Sequence, residues 1–389
     1  MGNTTALGGV APVLDDVIEW RRHLHRHPEL SFEERETASF IAATLEGFGD
    51  ALEIERPSEN SVIARLDTGR PGRTVALRAD IDALPIEEQS GVEFASERPG
   101  VMHACGHDGH TAMLLGAAKL LAGAADQLPG GEVRFLFQPA EELAPGGARD
   151  LVAAGAMEGV DSIYGCHLWT PLELGKVAAM PGPFMAAADF FKLAIVGKGG
   201  HGGIPHEAID TVAIGAQVVA NLQHVVARRV DPLKSAVVTI GSFHAGDAPN
   251  VIPGRAELQG TARSFDPQVR KDLANLIEDV IRGVTSAHGA GYELDYQFGY
   301  LPVVNDEGAT ALVREQIAAD EFTEIAPIMG GDDFSAYLAD TPGCYAFIGA
   351  GPEGEVFPHH HPRFAIDERA LATGVRLHVD VAAAALKEG

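Results

Sequence analysis

Three apolar runs in the first half of this chain each end in polar residues that can bind a metal or move a proton. Residues 75–78 lead into Asp80-Ile81-Asp82, and residues 133–137 into Gln138-Pro139-Ala140-Glu141-Glu142. The run around Ile163-Tyr164 leads into Cys166-His167. Short apolar runs over 61–66, 74–78, 132–137 and 162–166 read as strands, while 15–27, 33–48 and 111–121 carry helical spacing. The 111–121 segment is apolar on more than one face, which marks a buried helix. Helices alternating with short strands predict an α/β domain on a mostly parallel sheet. In such sheets ligands bind just outside the carboxyl ends of the strands. The three polar clusters are therefore expected at one edge of one sheet.

The pattern changes after Pro181-Gly182-Pro183. Residues 190–196 read as a strand, 209–226 as a long apolar helix, 236–242 and 255–262 as strands, 267–287 as a helix and 292–298 as a closing strand. Strand, helix, strand, strand, helix, strand is the order of a small ferredoxin-like α+β sandwich. The first pattern resumes after Pro302. The expected organisation is an α/β domain in two parts, 1–183 and 297–389, with an α+β domain inserted over 184–296.

Composition narrows the function classes. A chain of 389 residues can bury a substantial core. Its net charge of -26 argues against nucleic acid, whose phosphates it would repel. No apolar stretch is long enough to span a bilayer. The polar opening 1–9 lacks a signal-peptide core, and Ala6 stands where a myristoylation pattern wants Ser or Thr. Three cysteines make an odd, sparse count that suggests no disulfide framework. A reduced, cytoplasmic protein is expected.

The densest chemistry lies in Cys105-Gly106-His107-Asp108-Gly109-His110. A thiolate and two imidazoles within six residues suit a metal. Glu141-Glu142, His167 and the run His359-His360-His361 offer enough further ligands for two. Adjacent side chains in extended chain point different ways, so one of Glu141 and Glu142 can bind metal while the other acts as general base. The softness of the set favours zinc, manganese, cobalt or nickel over magnesium or calcium. Asp108 and His110 either orient ligands or cap the following helix. His201 sits in a glycine-rich turn open to close approach by a ligand; alternatively it caps a helix starting near Glu207.

The motifs, taken together and in order, resemble the M20 metallopeptidase clan, in its amidohydrolase branch of N-acyl-amino-acid, hippurate and auxin-conjugate hydrolases. They run from Arg21-Arg22-His23-Leu24-His25-Arg26-His27-Pro28-Glu29-Leu30 through Arg78-Ala79-Asp80-Ile81-Asp82 and His103-Ala104-Cys105-Gly106-His107-Asp108. Gln138-Pro139-Ala140-Glu141-Glu142, Gly165-Cys166-His167, Gly199-Gly200-His201, Pro249-Asn250, Gly260-Thr261-Ala262-Arg263 and His360-His361-Pro362 follow. Gly330-Gly331-Asp332-Asp333-Phe334 departs from the more frequent Gly-Ser-Glu-Asp-Phe. The resemblance implies a di-metal hydrolase of N-acyl- or N-aroyl-amino acids, with a dipeptidase or aromatic-amine deaminase as the alternative. It implies Cys105 as the bridge between metals, His107 and His167 on one, and Glu142 and His360 on the other, with His361 as the runner-up to His360. Glu141 is then the general base and Asp82 the carboxylate behind a metal ligand. By the same resemblance the inserted domain would be a lid and dimerisation domain, whose His201 would steady the oxyanion in the partner's site, and Asn250 and Arg263 would hold the substrate's amide oxygen and carboxylate. A homodimer is expected, with a tetramer as the alternative.

Overall fold

A computed structural model describes residues 7–387 and the backbone of 4 and 5. The reading of residues 1–6 therefore falls largely outside the described residues. The chain forms two compact units: 1–184, 304–326 and 333–389 in one, and 185–303 with 327–332 in the other. Sequence patterning drew the insertion at 184–296. The closing strand of the insertion runs on to Tyr300, and a short return over 327–332 joins the same unit.

The larger unit opens with helices α1 (Ala11–Arg26) and α2 (Arg35–Glu46). Strands β1 (Glu53–Glu55), β2 (Val62–Asp67) and β3 (Thr74–Asp80) follow, then helix α3 (His107–Gly123). Next come β4 (Glu132–Gln138), helix α4 (Ala148–Ala153), β5 (Ser162–Trp169) and the short β6 (Val177–Ala178). The smaller unit contributes β7 (Ala187–Val196), α5 (Thr211–His224), β8 (Ala236–His244), β9 (Arg255–Ser264), α6 (Pro267–Ala287) and β10 (Gly291–Tyr300). The chain then completes the larger unit with α7 (Glu307–Glu315), β11 (Gly343–Gly349) and α8 (Ala370–Ala385).

The larger unit is built on one seven-stranded sheet in the order β1-β2-β4-β3-β5-β11-β6. Its four central strands, β4, β3, β5 and β11, run parallel, and the flanking pairs are antiparallel. The parallel centre is buried on both faces, and β3, β4, β5 and β11 are accordingly near-continuous buried runs. Helix α3 is buried almost throughout. Its Met113, Leu114 and Leu115 share a core with Val75, Leu77, Val133 and Phe135 of the sheet and with Leu371 and Val375 of α8. Its apolar residues on several faces follow from this central position.

The smaller unit has a four-stranded antiparallel sheet in the order β8-β9-β7-β10. With α5 and α6 as its two helices, this is the ferredoxin-like arrangement. Asp210 caps α5 and Asp266 caps α6, each carboxylate accepting two backbone N–H groups of the first turn. Helix α5 therefore begins at Thr211 on its own aspartate cap, and the short 3-10 turn Pro205–Glu207 before it has Ile204 at its N-terminus with no side-chain cap, so His201 caps neither. Ile214, Val218 and Leu222 of α5 pack with Phe191, Leu193, Ile277 and Ile281, so the apolar face of α5 covers its own sheet. Among the described residues no helix is long and apolar enough to cross a membrane.

Candidate metal centre

The carboxyl ends of β3, β4 and β5 deliver the site. Asp80 ends β3 and Asp82 follows it; Glu141 and Glu142 follow β4; His167 lies near the end of β5. Parallel neighbours in register put these ends side by side. Cys105 and His107 arrive on the turn into α3. Gly106, at φ 94°, supplies the left-handed backbone of that turn. Gly109 allows close approach, because a Cβ there would meet Leu168 Cδ1 at 2.5 Å. Helix α3 starts at His107, four residues earlier than its apolar pattern suggests.

Five groups of possible ligand atoms result among the described residues, and two of them share Cys105. One is Cys105, His107 and His167; the other is Cys105, Glu142 and His360. The Cys105 Sγ lies 3.5 Å from His167 Nε2, and His360 Nε2 lies 3.2 Å from Glu142 Oε1. His107 Nε2 is buried without a hydrogen-bond partner among the described residues, 3.8 Å from Glu142 and 4.0 Å from Glu141. A buried imidazole nitrogen left unpaired among carboxylates is what a metal ligand looks like before its ion is considered. His361 points elsewhere: its Nδ1 accepts the Arg363 N–H at 3.0 Å and its ring stacks on Phe357. His360 adopts φ 65°, a left-handed conformation uncommon outside glycine and characteristic of functional positions.

Neighbouring groups set the tautomers. His107 Nδ1 donates to the Asp82 carbonyl at 3.0 Å and carboxylate at 3.1 Å, which leaves Nε2 facing the site. His167 Nδ1 donates to the Leu168 carbonyl at 2.8 Å, which leaves its Nε2 lone pair facing Cys105. His110 is fully used otherwise. Its Nε2 accepts the Leu168 N–H at 2.9 Å and its Nδ1 donates to Asp80 at 2.6 Å. It is a brace between β3 and β5 and has no lone pair left for an ion. Asp108, inside α3, receives Arg21 Nε at 2.7 Å and His25 Nδ1 at 2.8 Å, so it ties α3 to α1 and is not the cap.

The electrostatics of the pocket call for a cation. Burial works against charge on His107, yet Asp80, Asp82 and Glu142 outweigh it and lift its pKa to about 10. Burial, then Glu142, Glu141 and Asp80, raise the Cys105 thiol well above its ordinary value. Burial and the nearby imidazoles of His110 and His359 hold His167 well below the usual range, as a neutral ligand. A thiolate at Cys105 therefore needs a compensating positive charge, which a divalent ion provides.

Sequence reasoning left several partners without roles. His359 is half-buried, stacked on Trp169 at 4.5 Å, with Nδ1 3.7 Å from Cys105 Sγ. Asp333 joins Arg78 Nη2 at 2.7 Å, Gln138 Nε2 at 2.8 Å and the Ala148 N–H at 3.0 Å. Asp333 of the acidic Asp332-Asp333 motif is thus a buried hub behind the Gln138–Glu142 segment.

In the smaller unit, His201 lies on a two-residue strand paired with Val251–Ile252, and the Gly202 N–H donates to the Asn250 carbonyl at 2.8 Å. The segment abuts Gly254, at the start of β9. Arg263 is near the other end of β9, roughly 27 Å from Arg255 by strand rise. The unit thus brings His201 and Asn250 together and holds Arg263 apart from them.

The comparisons fit this architecture. Residues 76–384 match the model of the peptidase family M20/M25/M40. The N-acyl-L-amino acid amidohydrolase of Geobacillus stearothermophilus is 58% identical over 300 residues, covering 77% of this chain and 80% of that one. The N-acetylcysteine deacetylase of Bacillus subtilis is 41% identical over 378 residues, covering 95% and 97%. The crystal structure of Bacillus subtilis YXEP, a dinuclear metal binding peptidase from the M20 family, superposes with a TM-score of 0.82 at 37% identity. That match covers 97% of this chain and 99% of the other. With its parallel-centred sheet, its inserted ferredoxin-like unit and this donor set, the chain belongs to peptidase family M20/M25/M40.

Proposed function

We propose that this protein is a metal-dependent amidohydrolase that cleaves N-acyl- or N-aroyl-amino acids into a carboxylate and a free amino acid. The observation that carries the reading is the pair of ligand groups sharing Cys105 beside two adjacent glutamates. The similarity to an N-acyl-L-amino acid amidohydrolase and an N-acetylcysteine deacetylase supports the substrate class. In this reading Cys105, His107 and His167 would hold one divalent ion, and Cys105, Glu142 and His360 would hold another. Zinc or manganese suits this mixed sulfur, nitrogen and oxygen set first, with cobalt and nickel as alternatives. Such ions supply Lewis acidity and bring the pKa of water toward neutrality.

The protein's own residues do the rest. Glu141 takes the proton of the attacking water and returns it to the leaving nitrogen, so base and acid are one group in succession. Asp82 holds the His107 ring by Nδ1. His201 steadies the oxyanion, while Asn250 and Arg263 hold the amide oxygen and the carboxylate of the amino acid. A single small unit cannot bring His201 and Arg263 onto one small amide from opposite ends of β9. Their separation supports a homodimer in which His201 serves the partner subunit's site, the smaller unit acting as lid and dimerisation domain.

The test is a substrate panel on metal-free protein reloaded in turn with zinc, manganese, cobalt or nickel. N-acetyl, N-benzoyl and indole-acetyl amino acids are compared with dipeptides and anilides. Metal-dependent release of free amino acid from the acyl series is expected. Turnover confined to dipeptides or anilides would overturn the substrate assignment.

A further inference from the structure

The backbone around Glu141 is held in an unusual conformation, and one buried carboxyl outside the metal centre holds it there. Ala140, the residue before Glu141, has φ 53°, and Phe32, on the loop before α2, has φ 68°. Left-handed conformations of this kind are costly for residues with side chains and persist only where the surroundings over-determine them. Both amides point at Glu34. Its Oε1 accepts the Ala140 N–H at 2.8 Å and the Phe32 N–H at 3.0 Å. Glu34 is fully buried, and its Oε2 has no hydrogen-bond partner among the described residues. Its own backbone is rigid, since the Glu34 carbonyl accepts the Ala38 N–H at 2.9 Å at the start of α2.

The rest of the segment is gripped to match. The Ala140 carbonyl accepts the Gly147 N–H at 3.2 Å. On the far side of Glu141, the Glu142 N–H donates to Asp82 Oδ2 at 3.0 Å, and Ser31 Oγ donates to the same oxygen at 2.6 Å. Glu141 is thus flanked by two amides, each bound by a buried carboxyl group, and both carboxyl groups also bind the loop that precedes α2. The Ala140 amide is itself buried, so water cannot take the place of the carboxyl, and the position of this amide is tied to that of Glu34.

We propose that Glu34 is a positioning residue for Glu141: its buried carboxyl fixes the left-handed Ala140 and so sets the direction from which Glu141 reaches the reacting atoms. The proposal rests on the reading of Glu141 as general base. It assigns Glu34 no contact with substrate or ion. Glutamine at this position keeps the accepting oxygen; alanine removes it and leaves two amides without their acceptor.

Glu34→Ala, Glu34→Gln and Glu141→Gln are compared with wild type as metal-loaded full-length protein. The readouts are kcat and KM on N-acetyl-L-methionine, metal per chain, thermal melting, and amide hydrogen exchange over residues 138–143. Glu34→Ala is expected to lower kcat about 10- to 100-fold with little change in KM or metal content. Its Ala140 amide is expected to exchange about tenfold faster. Glu34→Gln should restore both, and Glu34→Ala added to Glu141→Gln should cost nothing further. Wild-type kcat in Glu34→Ala, unchanged exchange, or a loss of kcat matched by loss of metal that glutamine does not rescue would each overturn the proposal. Substantial turnover by Glu141→Gln would instead sink the reading of Glu141 as the base. If wild type leaves the probe intact, unchanged exchange in Glu34→Ala still overturns the grip on Ala140.

Discussion

Cys105 is where the two ligand groups meet, and its buried thiol can lose its proton only against a compensating cation. Replacing it by serine exchanges a soft ligand for a poor one. Cys105→Ser should therefore lose bound metal on dialysis against a chelator at least about tenfold faster than wild type, with the fold retained. Glu34 gives a second prediction. Burial, then the charge of Asp82, raises its carboxyl from the ordinary 4.5 to about 8. Between those values the folded protein keeps a proton that the unfolded chain has released. Its contribution to stability is thus fully present below about pH 4.5 and is lost as pH rises toward 8, on the order of a few kcal/mol in all. Thermal melting of Glu34→Gln should lose this downward slope relative to wild type; parallel profiles would contradict the assignment. At this scale the sequence was most legible where residue type and chemistry coincide. Cys105, His107, Glu142, His167 and His360 stand out by residue type, and the fold brings their donor atoms into two groups that share Cys105. Glu34, His110 and Asp108 were not legible, because a buried carboxylate or imidazole that braces backbone looks, in sequence, like a surface one. Only the fold reveals that Leu168 has already taken the His110 lone pair.

The strand ends are the elements that assemble the site, and Arg78 ties them together. Its guanidinium reaches Asp80 at 2.5 Å, Gln138 at 2.8 Å and Asp333 at 2.7 Å, all buried. Arg78→Met removes the cation shared by two buried carboxylates. It should destabilise the protein by about 3–5 kcal/mol in chemical denaturation. A change below about 1 kcal/mol would mean that the network contributes order and little stability. The element types were readable from period and composition, since buried parallel strands and amphipathic helices leave strong patterns. The ends were less so. Helix α3 begins at His107 because Gly106 turns the chain there, although Gly, His and Asp carry little helical signal of their own. Helix α5 begins at Thr211 because Asp210 caps it, two residues after its apolar run opens at Ile209. Caps and turns decide boundaries, and apolar periodicity does not see them.

Across the whole chain, one unit carries the candidate ligands and an inserted unit carries His201, Asn250 and Arg263. The interruption was visible as a change from α/β alternation to a β-α-β-β-α-β order. The return of residues 327–332 to the inserted unit was not, because so short a segment has no period of its own. The wide spacing of His201 and Arg263 within one unit makes a specific prediction for a homodimer. His201→Ala and Arg263→Ala should each be nearly inactive alone. Co-expressed, they should recover about a quarter of wild-type activity, because half the dimers are mixed and each mixed dimer has one intact site. No recovery in isolated mixed dimers would contradict a site shared between subunits. The central claim is narrower and has a more direct test: bound metal per chain and turnover of N-acyl-amino acids, measured side by side in wild type and Glu141→Gln. The account predicts about two divalent ions per chain in both proteins, with hydrolysis in wild type alone. Hydrolysis by Glu141→Gln at a rate close to wild type, or a fully metal-loaded wild type that releases no amino acid from any N-acyl substrate, would contradict it.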